Sequence, residues 1–481
     1  MAKFYITNAI PYVNAKPHIG HALEFVQSDT ITRHHKILRD EVLLLCGADE
    51  NAIKNVQAAE KEGVPIQEFI DKNSNLFLKL SKKLNIQFDV WQKGSDAKHH
   101  SSSRKLWELC KKNGDIYKKS YTGLYCVGCE LFYEKEELNA NGQCHEHPGK
   151  KLDKVSEENY FFRLSKYQSQ LIKLLESDTL NIVPEFRKNE MLSFLKNSLG
   201  DISISRSNER AKNWGVPVPN DPTQRMYVWF DALNIYQSGI GFALDDKNYK
   251  KWWPADLHVI GKGILRFHAI YWPAFLLSAK LMLPKKIFVH EYITVEGQKM
   301  SKTIGNVLDP IHLIEKYGAD ALRYYLLAKI SPFVDSDFSE EKLKQAYNAD
   351  LANGLGNLVA RVAKLAQNSN YYQIESKGKE YVHLISIEEY SDALNKFRFN
   401  DALSFIWKKI TSLDKFINQE KPWELLKTKD KRLKAILAHA IDQIQEIAVL
   451  LEPFLPQTAQ KIEDQFMRPK ITFHKPLFPR I

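Results

Sequence analysis

PYVNAKPHIGH, residues 11–21, follows a short apolar run, KFYIT (3–7), and leads into a stretch without Pro or Gly that reads as a helix over 21–38. The order is therefore strand, tight loop, helix N-terminus. Such a junction gathers unpaired backbone N–H groups and the positive end of a helix dipole, which suits an anion. His18 and His21 stand one turn apart and add imidazole donors, and Gly20 between them lets a flat ring approach the backbone. The stretch fits a nucleotide's phosphates and base. Taken alone, an HxGH is equally compatible with a surface loop carrying two solvated histidines.

Working outward, EVLLLC (41–46) is a continuous apolar run of strand length, the pattern of a buried parallel strand. It ends in Gly47-Ala48-Asp49-Glu50. Acids just past the carboxyl end of such a strand lie where open α/β sheets bind ligands. For Asp49 by itself, a turn or helix cap is the commoner role. Residues 55–84 read as two helices and 101–113 as another, giving β-α-β-α, the first half of a doubly wound sheet. Residues 156–225 read as helices plus a connecting loop. After them, Tyr227–Asp231, Leu257–Lys262 and Ile287–Ile293 resume strand-like patterns, and Arg266–Trp272 opens a helix. Trp229, Tyr236 and Trp272 sit at strand ends or on that helix, suited either to the core or to a pocket wall.

Between the halves, Cys126-Val-Gly-Cys129 is followed after 14 residues by Cys144-His-Glu-His147, around a β-like stretch at Leu131–Tyr133. Two such knuckles suit one tetrahedral zinc ion, and a small insert without its own core needs that staple. The ligands read as Cys126, Cys129, Cys144 and either His145 or His147, with His147 preferred because CxxH mirrors CxxC. Four protein ligands leave no open position, so the metal is expected to be structural. A redox CxxC is the alternative.

Gly297-Gln-Lys-Met-Ser-Lys-Thr303 carries Lys299, Ser301 and Lys302, flexible cations and a hydroxyl suited to a cluster of phosphates. From about 340 the chain reads as helical. Leu433, Ile436, Leu437, Ala440, Ile444, Ile447, Ala448 and Leu451 form a core stripe. Asn357, Arg361 and Trp423 lie off that stripe, where an amide, a guanidinium and an aromatic are able to read unstacked bases.

The 481 residues suffice for about three domains. Lys and Arg number 68 against 58 Asp and Glu, an excess that permits a polyanionic partner without demanding one. No apolar run reaches the length of a membrane span and no signal-peptide layout opens the chain. Five cysteines, three of them clustered, argue for a reducing compartment. A cytoplasmic enzyme with no membrane association is expected.

PHIGH (17–21) and KMSKT (299–303) resemble the paired signatures of class I aminoacyl-tRNA synthetases. Within that class AIPYVNAKPHIGH (9–21), the knuckle 126–147, YVWFDALNIY (227–236), RFHAIYWP (266–273), QKMSKTIGN (298–306), NGLGNLVAR (353–361) and KPW (421–423) resemble the methionyl-tRNA synthetase family along essentially the whole chain. The resemblance implies an α/β fold. Its split, doubly wound, Rossmann-like parallel sheet would occupy residues 1–115 and 226–340, the latter with a stem-contact region and the KMSK loop. A connective zinc-knuckle insertion would occupy 116–225, and a helical anticodon-binding bundle 341–481.

It implies ATP-dependent ligation of L-methionine to tRNA(Met), initiator and elongator, through methionyl-adenylate, with Mg²⁺ accompanying ATP. His18, Gly20, His21, Lys299, Ser301 and Lys302 would bind ATP, the two histidines and two lysines serving catalysis. Asp49 would hold the methionine amino group, and Ile10, Tyr12, Trp229, Ala232, Tyr236, Ile264, His268 and Trp272 its side chain. Asn357, Arg361 and Trp423 would read the anticodon. A polarizable thioether is well matched by aromatic walls.

Four positions depart from the family pattern: Asn51-Ala52 stand for His-Gly, Gly263 for an acid, and Leu233 for a proline. Synthetases for isoleucine, valine or leucine need a large editing insertion, for which 116–225 is too short. A non-catalytic RNA-binding relative is the competing class, and the intact signatures oppose it. The helical third domain and the knuckle exclude a small cytidylyltransferase. Ending at Ile481, the chain lacks the dimerising extension of some relatives, and a monomer is expected.

Overall fold

The computed structural model describes residues 2–481 apart from 127, 129, 130, 134–136, 146–148, 198, 296, 300–306, 372–386 and 474, and of residues 131, 132 and 299 it describes the backbone only. KFYIT lies in strand β1 (Lys3–Asn8) and EVLLLC in β2 (Glu41–Ala48), with β3 at Val90–Lys93. Three further strands, β4 (Asn181–Val183), β5 (Leu257–Gly261) and β6 (Lys286–His290), complete one sheet in the order β3-β2-β1-β5-β6-β4. Every pairing in it is parallel. The chain moves outward from β1 to β3 on one side and from β5 to β6 on the other, where the earlier strand β4 forms the edge. Their carboxyl ends thus flank the switch point where open sheets bind ligands.

The pleat sorts side chains into two cores. Ile6, Leu44, Cys46, Val259 and Phe288 face one with helix α1 (Ile19–Ile37) and the C-terminal helices. Tyr5, Leu43, Leu45, Ile260, Ile287 and Val289 face the other, with the helices after β3 and β5. Burial on both faces explains why these strands read as uninterrupted apolar runs.

Three details differ from the sequence reading. Val228–Ala232 is a short helix, not a strand. Its aromatic and β-branched residues are buried on every side against neighbouring helices, so packing overrides strand preference. Asp153–Phe162, expected as helix or loop, is a strand held by a ladder to Ile116–Cys126. Residues 181–183, within the stretch read as an insertion, pair with β6 at the edge of the main sheet.

The C-terminal helices include Asn357–Asn368, Phe399–Glu420, Pro422–Thr428, Arg432–Leu451 and Pro456–Phe466. The expected stripe from Leu433 to Leu451 is buried throughout. Helix α2 (Ile66–Lys83) contributes Phe69, Ile70, Phe77 and Leu80 to the same core. Arg323, fully buried, seals the seam. Its guanidinium donates to the carbonyls of Leu84 (3.2 Å), Pro453 (2.9 Å) and Phe454 (2.7 Å) and pairs with Asp29 at 2.7 Å.

Candidate active site

The loop after β1 enters α1 with His18 as N-cap. The Gly20 N–H donates to His18 Nδ1 and the His18 N–H donates to His21 Nδ1, both at 3.1 Å, a reciprocal cap made by two imidazoles. With Nδ1 of each ring accepting, each neutral ring carries its proton on Nε2. The rings lie 3.8 Å apart and His21 meets Phe77 edge-on at 4.9 Å. Burial, reinforced by His18, holds the His21 pKa well below the usual imidazole value, so His21 is neutral at pH 7.

A cavity of about 300 Å³ opens beyond the carboxyl ends of β1, β2, β5 and β6, and its lining includes Ile10, Tyr12, His18, Gly20, His21, Asp49, Trp229, Tyr236, Ile264 and His268. Ten residues expected at the site from sequence thus meet in one place. At its apolar end, Trp229 stacks on Phe267 (3.8 Å, 4°) and meets Tyr12 edge-on. His268 Nδ1 donates to the Ile264 carbonyl (2.9 Å), which leaves Nε2 to accept the Tyr236 hydroxyl (2.8 Å). Burial lowers His268 to about 4 and raises Tyr236 far above 10, so both are neutral. Asp49 is buried and lies across a parallel bridge from Tyr12. Lys54 Nζ sits 3.9 Å over the Tyr12 ring.

The opposite rim holds charged residues that the sequence reading missed. Glu24, one turn beyond His21, accepts from Asn8 (2.7 Å) and pairs with His290 at 2.9 Å. Glu291 pairs with Lys262 (2.8 Å), which also binds Asp335, and with Arg187 from the segment before β5. A signal was present: VHEY (289–292) puts a histidine and an acid at a strand's carboxyl end, where Asp49 had drawn attention after β2.

The comparisons agree with this architecture. Residues 4–363 match the family model described as tRNA synthetases class I (M), and residues 375–476 match the anticodon binding domain of methionyl tRNA ligase. The methionine–tRNA ligase of Thermotoga maritima is 40% identical over 471 residues, covering 96% of this chain and 74% of its own length. That of Brucella suis is 39% identical, covering 96% and 91%. The chain belongs to the methionyl-tRNA synthetase family. The solved Mycobacterium tuberculosis methionyl-tRNA synthetase in complex with methionyl-adenylate superposes with a TM-score of 0.92 at 36% identity, over the full length of both chains.

The departures at Asn51, Ala52 and Gly263 can be placed in the structure; nothing in it explains Leu233. Asn51 donates to Asp231 Oδ2 (2.6 Å) and to the Gly94 carbonyl (2.8 Å), tying the loop after Asp49 to the helix that carries Trp229. Asp231 also faces His99, whose Nδ1 meets Ser238 Oγ at 2.8 Å. Ala52, fully buried, precedes the helix Ile53–Glu62. Gly263 lines the cavity beside Lys262, where Glu291 and Asp335 supply the nearby carboxylates.

Other expected site residues do not line this cavity. Ala232 and Trp272 are buried behind it, Trp272 packing edge-on to Trp253. Each follows a lining residue on the same helical segment, so the sequence pattern could not separate wall from support. Ser301 and Lys302 lie outside the described residues, as do Cys129 and His147; Lys299 is described only as backbone of a two-residue strand. Cys126 and Cys144 are buried with thiols 3.3 Å apart, a separation open to two ligands of one ion. Among the described residues no group of three metal-ligating side chains forms. On the bundle, Asn357 is exposed, while Arg361 pairs with Asp414 (2.7 Å) and Asn418 (3.0 Å). Trp423 is half-buried on Pro422–Thr428. Among the described residues no helix is long and apolar enough to cross a membrane.

Proposed function

We propose how this chain performs the reaction of the methionyl-tRNA synthetases, ATP-dependent ligation of L-methionine to tRNA(Met) through methionyl-adenylate. The observation that carries the reading is the single cavity joining a neutral aromatic end to a doubly histidine-capped helix N-terminus. The methionine side chain enters between Tyr12, Trp229, Ile264 and the Tyr236–His268 pair. Because these two groups satisfy one another, the pocket offers no charge and favours a polarizable apolar chain. Asp49 faces the ammonium group. Ala232 and Trp272 support the wall from behind.

The α-carboxylate then points toward the histidine cap, where ATP lies with its phosphates on the His18 and His21 Nε2–H groups and the α1 dipole, and its base over Gly20. A neutral His21 donates a hydrogen bond without titrating near pH 7. In-line attack of the carboxylate on the α-phosphorus expels pyrophosphate, whose charge Lys299, Ser301 and Lys302 would neutralise; Mg²⁺ accompanying ATP would supply further positive charge. The terminal tRNA hydroxyl next attacks the acyl carbon, breaking the acyl–phosphate bond and releasing AMP, while Asn357, Arg361 and Trp423 engage the anticodon. Arg361 must exchange Asp414 for RNA to do so. A structural zinc would be held by Cys126, Cys129, Cys144 and His147, closing the insert, in a cytoplasmic enzyme.

Amino-acid-dependent ATP–pyrophosphate exchange across a panel of amino acids tests the reading. Methionine alone is expected to drive exchange; exchange with isoleucine, or with none, would overturn it. Zinc absent from protein purified under reducing conditions would refute the knuckle.

A further inference from the structure

Helix α2 has two faces of opposite character. Its inner face backs the active site: Asn73 donates to the Val13 carbonyl at 2.8 Å and Phe77 lies under His21. Its carboxyl end reaches the seam with the bundle, where Arg323 binds the Leu84 carbonyl and Arg33 binds those of Asn85 (2.9 Å) and the side chain of Glu452 (2.9 Å). One element thus runs from the catalytic loop to the base of the helical bundle.

Its outer face is a stripe of cations. Lys72, Asn75, Lys79, Lys82 and Lys83 are exposed, and at about 100° per residue they fall on one narrow arc spanning roughly 16 Å. Glu68, in the first turn, is the acid on that arc. Lys83 makes a loose, exposed pair with Glu315 at 3.4 Å. Lys72, Lys79 and Lys82 have no side-chain partner among the described residues. Many exposed lysines elsewhere on the surface are neutralised, among them Lys251 by Glu41, Lys316 by Glu340 and Lys329 by Asp350. Three unpaired like charges within two to three turns repel one another and do nothing for the fold, while crowding at the helix carboxyl end recovers little of that cost. A shallow depression lined by Asn75, Leu78, Lys79, Lys82 and Lys83 lies along the same face.

We infer that this stripe is a phosphate-contact surface for the tRNA, lying between the anticodon-reading bundle and the catalytic cleft. The inference rests on the function proposed above. An RNA that engages both ends must traverse the connecting surface, and unpaired ammonium groups on flexible stems suit backbone phosphates without demanding sequence.

The test compares K72E/K79E/K82E and K72Q/K79Q/K82Q with the unmodified chain in two assays. Methionine-dependent ATP–pyrophosphate exchange, which needs no tRNA, is expected to stay unchanged. The KM for tRNA at low salt should rise about tenfold in the Gln variant and further in the Glu variant, and the log–log dependence of kcat/KM on salt should flatten by roughly 2, near 0.7–0.9 for each lost contact. K72R/K79R/K82R should behave as the unmodified chain. An unchanged tRNA KM in the Gln variant, or a fall in exchange as large as the fall in charging, overturns the inference. Absence of methionine-dependent exchange in the unmodified chain would instead refute the functional reading beneath it.

Discussion

The two ends of the cavity are built in opposite ways. At the aromatic end, Tyr236 and His268 consume each other's hydrogen-bonding capacity, and Trp229 is held flat against Phe267. On the function proposed above, selectivity there is expected to come from shape and from refusing charge. At the histidine-capped end, charges are present but already spoken for: Glu24 by His290, Glu291 by Lys262 and Arg187. The cations assigned to the departing pyrophosphate belong to 299–302. A preorganised neutral pocket beside a charge-balanced rim suits the site proposed above, where an apolar side chain and a polyanion would lie close together without either disturbing the other.

Breaking the charged end should have the largest effect. Lys302→Ala is expected to slow methionyl-adenylate formation by about 10²–10³-fold, with methionine affinity unchanged; an unaffected exchange rate would remove Lys302 from its role. Breaking the neutral end should show the converse. Tyr236→Phe leaves buried His268 Nε2 without its donor, costing about 1–3 kcal/mol, so the KM for methionine should rise roughly 10–100-fold while that for ATP holds.

The neutrality of that end can be sharpened by pH. His268 has a folded pKa of about 4, below the 6.5 of a free imidazole. Its contribution to stability is complete above pH 6.5 and is lost as the pH falls toward 4, because the unfolded ring takes up a proton first. Urea unfolding should therefore show about 2 kcal/mol less stability from this ring at pH 5 than at pH 7, a loss missing from His268→Gln. The smallest effect concerns the joint between the ends. Asn51→Ala removes a donor from Asp231 and should lower stability by about 1 kcal/mol, read as a shifted urea midpoint with modest change in methionine KM.

The elements legible in the sequence were those where one physical cause dominates. Strands buried on both faces declared themselves as apolar runs, and PHIGH combined a helix start with ligand chemistry. What stayed hidden depended on contacts made far along the chain. Val228–Ala232 has strand-forming residues, yet its surroundings coil it. The strand Asp153–Phe162 is too polar to stand out and exists because Ile116–Cys126 pairs with it. Glu24 and His290 are 266 residues apart and become a pair only when β6 lies beside α1. Asn51, a departure from the family pattern, proves a well-bonded joint because Asp231 awaits it, information no local reading contains.

Arg323 carries one more consequence. Four acceptors drawn from α1, the end of α2 and the bundle converge on one buried guanidinium, and separating the two bodies there would strand a charge in a dry interior. The bundle is consequently no swinging arm but a fixed caliper. On the function proposed above, discrimination among RNAs is then expected to include a measurement of length: a molecule whose two functional ends are too near or too far apart would not engage both jaws at once, however well either end fits.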